Sequence, residues 1–149
     1  MKDLFSPADA ADLLSRINNL TPDSKAEWGK MNVAQMLSHI QVPIEVGLGD
    51  KQVKRTLIGF LFGRLAKKKL FNDTPFPKGL PTDVAFMRKG DHDFEIEKLK
   101  VTMLLTRFVS GGHAGLSHLP HPFFGKLTPL EWGTSLYKHL DHHLKQFGV

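Results

Sequence analysis

The sequence predicts an all-α protein, a four-helix bundle with long loops and room for short extra helices. Apolar residues recur at three- and four-residue steps in several stretches, each bounded by capping residues, glycine or proline. No stretch alternates convincingly as a strand would, and there is neither an internal repeat nor a low-complexity tract. At 149 residues and 41% hydrophobic content, residues 1–149 fit one domain with a respectable core.

The first helix opens at Ser6-Pro7-Ala-Asp9, a capping serine followed by a proline suited to the first turn; Ala10, Leu13, Leu14 and Ile17 give it an apolar stripe before Asn18-Asn19 ends it. A turn on Thr21-Pro22-Asp23 follows. Asn32 caps a second helix through Val33, Met36, Leu37, His39 and Ile40. Pro43, four residues beyond His39, has no N–H for that residue's carbonyl, so the helix either kinks there or runs on only to end near Gly47.

Residues 52–70 read as a third helix, with Leu57, Ile58, Phe60, Leu61 and Leu65 as a wide apolar face and Gly59 and Gly63 as weak points. A core-packed helix with a basic outer surface is the expectation, although the mixture of aromatic, aliphatic and cationic residues also resembles an interfacial helix. Residues 71–90, with Pro75, Pro77, Gly79 and Pro81, read as an extended loop. Asp91-His92-Asp93 starts a fourth helix carrying Phe94, Leu99, Val101, Leu104, Leu105 and Phe108, expected to be the most buried of all, and Ser110-Gly111-Gly112 breaks it. Residues 110–126 form a long connection of the kind that crosses a bundle or covers a site; Phe123 and Phe124 should anchor it, with His121 near the site entrance or serving only the turn.

The last helix begins at Thr128-Pro129 with Glu131 completing a capping box and stops at Gly148. Trp132, Leu136, His139, His143 and Phe147 share one inward face. Two imidazoles four residues apart can converge on one ion, or they can be a polar piece of core, and histidines near a helix C-terminus also complement its dipole.

With no cysteine, a transition metal would have to be held by histidine and oxygen. The start of the chain lacks a secretory pattern and no apolar run approaches a membrane span, so a cytoplasmic location is expected. The net charge of +5 is local: residues 51–70 carry seven Lys and Arg and no acid, leaving a net −2 for the remainder. A solvated face explains that excess without a polyanion, and neither nucleic acid nor a membrane is the expected partner.

Ferritin-like di-iron sites need Glu-x-x-His, but Met36, Leu136 and Leu140 stand three residues before His39, His139 and His143. The zinc-peptidase pattern fails because Leu140 follows His139 where the general base would be. Trp28-Gly-Lys-Met-Asn-Val-Ala-Gln-Met-Leu-Ser-His39, His121-Pro-Phe-Phe-Gly125 and His139-Leu-Asp-His-His-Leu-Lys-Gln-Phe-Gly148 together resemble the DinB/YfiT-like superfamily of proposed metalloenzymes, and within it a subgroup of unknown function. The resemblance spans about Pro7 to Gly148 and implies a four-helix bundle holding a divalent ion, often nickel or zinc. Carried onto this sequence, the metal ligands are His39, His139 and His143. Both helices place these residues on apolar faces that a bundle would bring together, where unpaired imidazoles would cost about 1–3 kcal/mol each. Gln35, Ser135, His142 and His121 are candidates for the surrounding shell or rim.

Three nitrogens leave a coordination position for water or substrate. The resemblance therefore implies a metal-dependent enzyme acting on a small molecule, by thiol S-transfer or by hydrolysis, with a low-molecular-weight thiol as one candidate substrate. A homodimer is compatible with the sequence, and a non-catalytic helical binding or interaction module is the alternative.

Overall fold

The computed structural model describes residues 1–55, 57–71, 74–79 and 88–149. They form five α-helices: α1 (Pro7–Asn19), α2 (Val33–Leu48), α3 (Leu57–Leu70), α4 (Phe94–Gly111) and α5 (Pro129–Gln146), with a 3-10 turn at Gly112–Gly115 after α4. Among the described residues there is no strand, only an isolated bridge between His121 and Gly125. No helix of the described residues is long and apolar enough to cross a membrane.

The capping residues act as the sequence predicts. Ser6 accepts the Asp9 N–H at the start of α1, and Asn32 and Thr128 form reciprocal capping boxes with Gln35 and Glu131. The chain continues helically through Pro43 and stops at Gly49, whose φ of 83° suits a residue without a Cβ. Pro43 therefore lies inside α2, and the expected end near Gly47 comes two residues later.

One core joins α1, α2, α4 and α5. Leu13 and Ile17, Met36, Leu37, Ile40 and Ile44, Leu105 and Phe108, and Leu136, Leu140 and Leu144 are all essentially removed from solvent. Each such side chain contributes roughly 1.5–3 kcal/mol of transfer free energy. The most enclosed helix is α2, not α4: it packs against both α4 and α5, while α4 turns Ile96, Leu99 and Met103 outward.

The third helix departs further from expectation. Residues 52–55 lie outside it. None of its described side chains joins the core, and Phe60, Leu61 and Leu65 are exposed instead of buried. Its contact face is made of the two glycines: a Cβ on Gly63 would overlap the Phe123 carbonyl, and one on Gly59 would lie 2.8 Å from Phe123 Cα. The residues that weaken the helix are thus the ones that let it approach the 122–124 backbone. The side chains of Leu57 and Ile58, and Pro81 of the expected loop, lie outside the described residues.

A polar link joins α2 to α4 beside the core. The Gln41 amide donates to the Glu97 carboxylate (2.7 Å) and to the Glu97 and Leu37 carbonyls. Burial pushes the Glu97 carboxyl up, but bonds from Gln41, Lys100 and His92 outweigh it and hold the group below its ordinary value. Its contribution is therefore present above the ordinary carboxylate pKa and lost as pH falls through the folded-state value. Gln41→Leu removes the nearest donor from a buried carboxylate and should destabilise the fold by about 1–3 kcal/mol at neutral pH, with a smaller loss in acid where Glu97 is protonated. Urea unfolding of both proteins at the two pH values checks this; an equal loss at both would remove the carboxylate from the explanation.

Candidate metal centre

Residue His39 enters the site from the middle of α2, and His139 and His143 enter from successive turns of α5. The helical face read from the sequence is the face that packs, with Trp132, Leu136 and Phe147 buried around the pair. Ring centroids lie 5.0 Å apart for His39 and His139, 4.7 Å for His39 and His143, and 4.7 Å for His139 and His143. One nitrogen from each ring can be chosen so that all three lie within 4.8 Å of one another. Nitrogens around a tetrahedral zinc at ~2.0–2.1 Å stand roughly 3.4 Å apart, so the rings would close by up to about 1.4 Å to share an ion.

The orientation of His143 is set from outside the trio. Gln146 Nε2 donates to the Trp28 carbonyl (2.6 Å), which leaves the amide oxygen facing His143 Nδ1 at 2.8 Å. The imidazole must then donate through Nδ1–H, and its Nε2 keeps a lone pair for an ion. Residue Gly29 makes room for this relay: its φ is +86°, and a Cβ there would fall 2.5 Å from Gln146 Nε2. The sequence reading missed Gln146, although its position three residues after His143 puts both on one helical face.

A second observation concerns His139. The residue as a whole is half-buried, but its Nε2 is removed from solvent and has no hydrogen-bond partner. A buried nitrogen without a partner costs about 1–3 kcal/mol, a deficit that coordination would remove. Burial, and then the neighbouring His143 and His39, hold His139 well below its ordinary pKa. Burial, and then the neighbouring His39, lower His143 to about 3 against the opposing hydrogen bond to Gln146. The two rings are thus neutral, as ligation requires. Because the unfolded chain restores ordinary histidine values near 6.5, it takes up more protons than the folded one between about 3 and 6.5. Stability accordingly falls as pH is lowered through that window.

The other candidates separate by role. Residue His142 stands outside the trio, its ring edge-on to Trp28 (5.8 Å) and Phe76 (6.1 Å) and 5.1 Å from that of His143. It lines a cleft of about 270 Å³ with Trp28, Phe76, Tyr137, Asp141 and four lysines, Lys2, Lys78, Lys138 and Lys145. Residue Gln35 spends its amide on the α2 cap and on the Gly90 carbonyl, so it serves as a cap and tether instead of supporting a ligand. Ser135 is buried one turn before His139.

Residue His121 is buried near enough to bear electrostatically on His139, and burial lowers its own pKa to about 4. Its Nδ1 accepts the backbone N–H groups of Phe123 (3.1 Å) and Phe124 (3.2 Å), so the ring proton resides on Nε2. In that tautomer neither nitrogen offers a lone pair, and His121 is a turn-locking residue beside the site instead of a fourth ligand. Its ring packs against Phe124 and Trp132, which anchors the connection to α5; Phe123 turns its ring edge-on to Phe124.

Fold and site together define an all-helical protein with a buried three-histidine group that could hold a metal ion. The chain belongs to the family described as "Protein of unknown function (DUF1569)", whose model matches residues 5–148. No curated protein and no solved structure matches it.

The relay predicts that Gln146→Leu weakens Zn²⁺ or Ni²⁺ binding by roughly 10–100-fold, while Gln146→Glu, which keeps an oxygen for Nδ1–H, loses less. His142→Ala should leave affinity unchanged. Competition against a chromophoric chelator measures all three, and a His142→Ala loss as large as that of Gln146→Leu would contradict the assignment.

Proposed function

We propose that the protein is a DinB/YfiT-like four-helix bundle of α1, α2, α4 and α5, and a metal-dependent enzyme acting on a small molecule by thiol S-transfer or hydrolysis. His39, His139 and His143 hold the divalent ion. Neutral imidazoles suit nickel and zinc equally, and the absence of cysteine excludes a thiolate set. The observation that carries this reading is the unpartnered His139 Nε2 inside a trio whose His143 lone pair is already freed by Gln146.

A bound ion supplies a Lewis acid and eases deprotonation of a thiol or water placed against it. Three protein nitrogens leave room for such a group. The cleft beside His142 is the place for the rest of the substrate. Trp28, Phe76 and Tyr137 offer apolar surface, and four lysines against one aspartate favour a ligand with negative charge, such as a carboxylate-bearing low-molecular-weight thiol. His142 lines that cleft with its ring 5.1 Å from that of His143. The chain makes no demand on an oxidising compartment, and we place it in the cytoplasm.

Elemental analysis of protein purified without an affinity tag tests the foundation. The wild type should carry close to one equivalent of nickel or zinc, or bind it at micromolar concentration, and His139→Ala should carry little. Wild-type protein that binds neither ion would leave a metal-free binding module as the surviving reading.

A further inference from the structure

Helix α3 presents a combination that neither the core nor the metal centre uses. Phe60, Leu61, Phe62 and Leu65 are 66%, 64%, 56% and 62% exposed on a single 14-residue helix. At 100° per residue, Leu61 and Leu65 lie opposite Gly59 and Gly63, with Phe60 and Phe62 on either side. The helix is therefore docked by its glycine edge on the 122–124 backbone and turns its large apolar residues away from the protein. Exposed apolar patches of this kind mark an interaction surface.

The charges around the patch decide what covers it. Residues 51–70 hold seven Lys and Arg and no acid. Lys67 is tied to Glu131 and Lys51 lies at 4.0 Å from Glu45, yet Lys54, Arg55 and Lys68 remain on exposed positions beside the apolar residues, Arg55 over the Phe60 ring. A second copy meeting this face across a two-fold axis would oppose two such cationic segments without an acid between them. A nucleic acid would satisfy the charges and leave two phenylalanines and two leucines in water. An anionic lipid surface satisfies both, with cations at the headgroups and apolar side chains at the headgroup–acyl boundary.

We propose that α3 is an interfacial helix that seats the protein on anionic membranes, with Phe60, Leu61, Phe62 and Leu65 inserted and Lys54, Arg55 and Lys68 on the lipid headgroups. The helix lies on the surface and does not span it, in keeping with its length and charge. Docking through glycines to the 122–124 backbone also explains why a chain would keep two helix-weakening residues here: larger ones would push the helix off its seat.

The test is vesicle flotation at low salt, with phosphatidylcholine alone and with phosphatidylcholine mixed with phosphatidylglycerol. Wild type should float with the anionic vesicles only, and added salt should weaken the association. Leu61→Ser/Leu65→Ser and Lys54→Glu/Lys68→Glu should each reduce partitioning by about tenfold or more while leaving circular dichroism and melting temperature unchanged, since all four positions are exposed. The proposal is overturned if wild type stays with neither vesicle, or if the leucine variant floats as well as wild type. It is equally overturned if light scattering shows a dimer that Leu61→Ser/Leu65→Ser dissolves, which would assign the face to a second copy. Retention on duplex DNA that depends on the lysines but not the leucines, without vesicle binding, would assign it to nucleic acid.

Discussion

Three imidazoles brought together inside a helical core set the terms for the rest of this structure. Each must be neutral to stay there, and each needs something to do with its ring nitrogens. For His143 the answer runs through Gln146 to the Trp28 carbonyl. The loop after α1 is in turn held to the end of α5, because the Glu27 N–H also bonds the Gln146 carbonyl at 2.8 Å. Gly29 is required by the same contact, through its positive φ and through the amide that a Cβ would strike. A metal ligand, a glutamine, a glycine and a loop path are consequences of one hydrogen-bonded relay. Inside the cluster, the buried Nε2 of His139 has no hydrogen-bond partner.

Much of this could be read from the chain. Capping residues located α1, α2 and α5 because caps act locally, through bonds between residues three apart, and the inward faces followed from periodicity. The trio needed more than local information. The spacing of His139 and His143 left metal and polar core open, and only the packing of α2 on α5 brings His39 to them. The role of Gln146 was hidden because it depends on a carbonyl 118 residues away. Gln35, by contrast, was read as a possible support for His39 when its amide was already committed to a cap, a competition that the Asn-x-x-Gln spacing announces.

Burial was the least legible property. Hydrophobic periodicity says which residues share a face, not what that face meets. In α4 the pattern covers more than one side, and α2, lying between α4 and α5, takes the central place instead. In α3 the apolar residues were read as core, whereas the close approach to 122–124 can be made only by the face without side chains. Glycine at four-residue spacing was the signal available, and it points to backbone contact as readily as to a weak helix.

An ion held by His39, His139 and His143 joins α2 to α5 across about 100 residues of chain and binds the folded state in preference to the unfolded one. Thermal unfolding of the wild type and His39→Ala, each with chelator and with saturating Zn²⁺ or Ni²⁺, measures that linkage directly. At a free concentration of about 100 times Kd the wild type should gain roughly 2.7 kcal/mol and melt at a higher temperature, while His39→Ala should lose most of that rise. The same metal-induced rise in His39→Ala as in wild type would contradict the account, because the three histidines would then not share an ion.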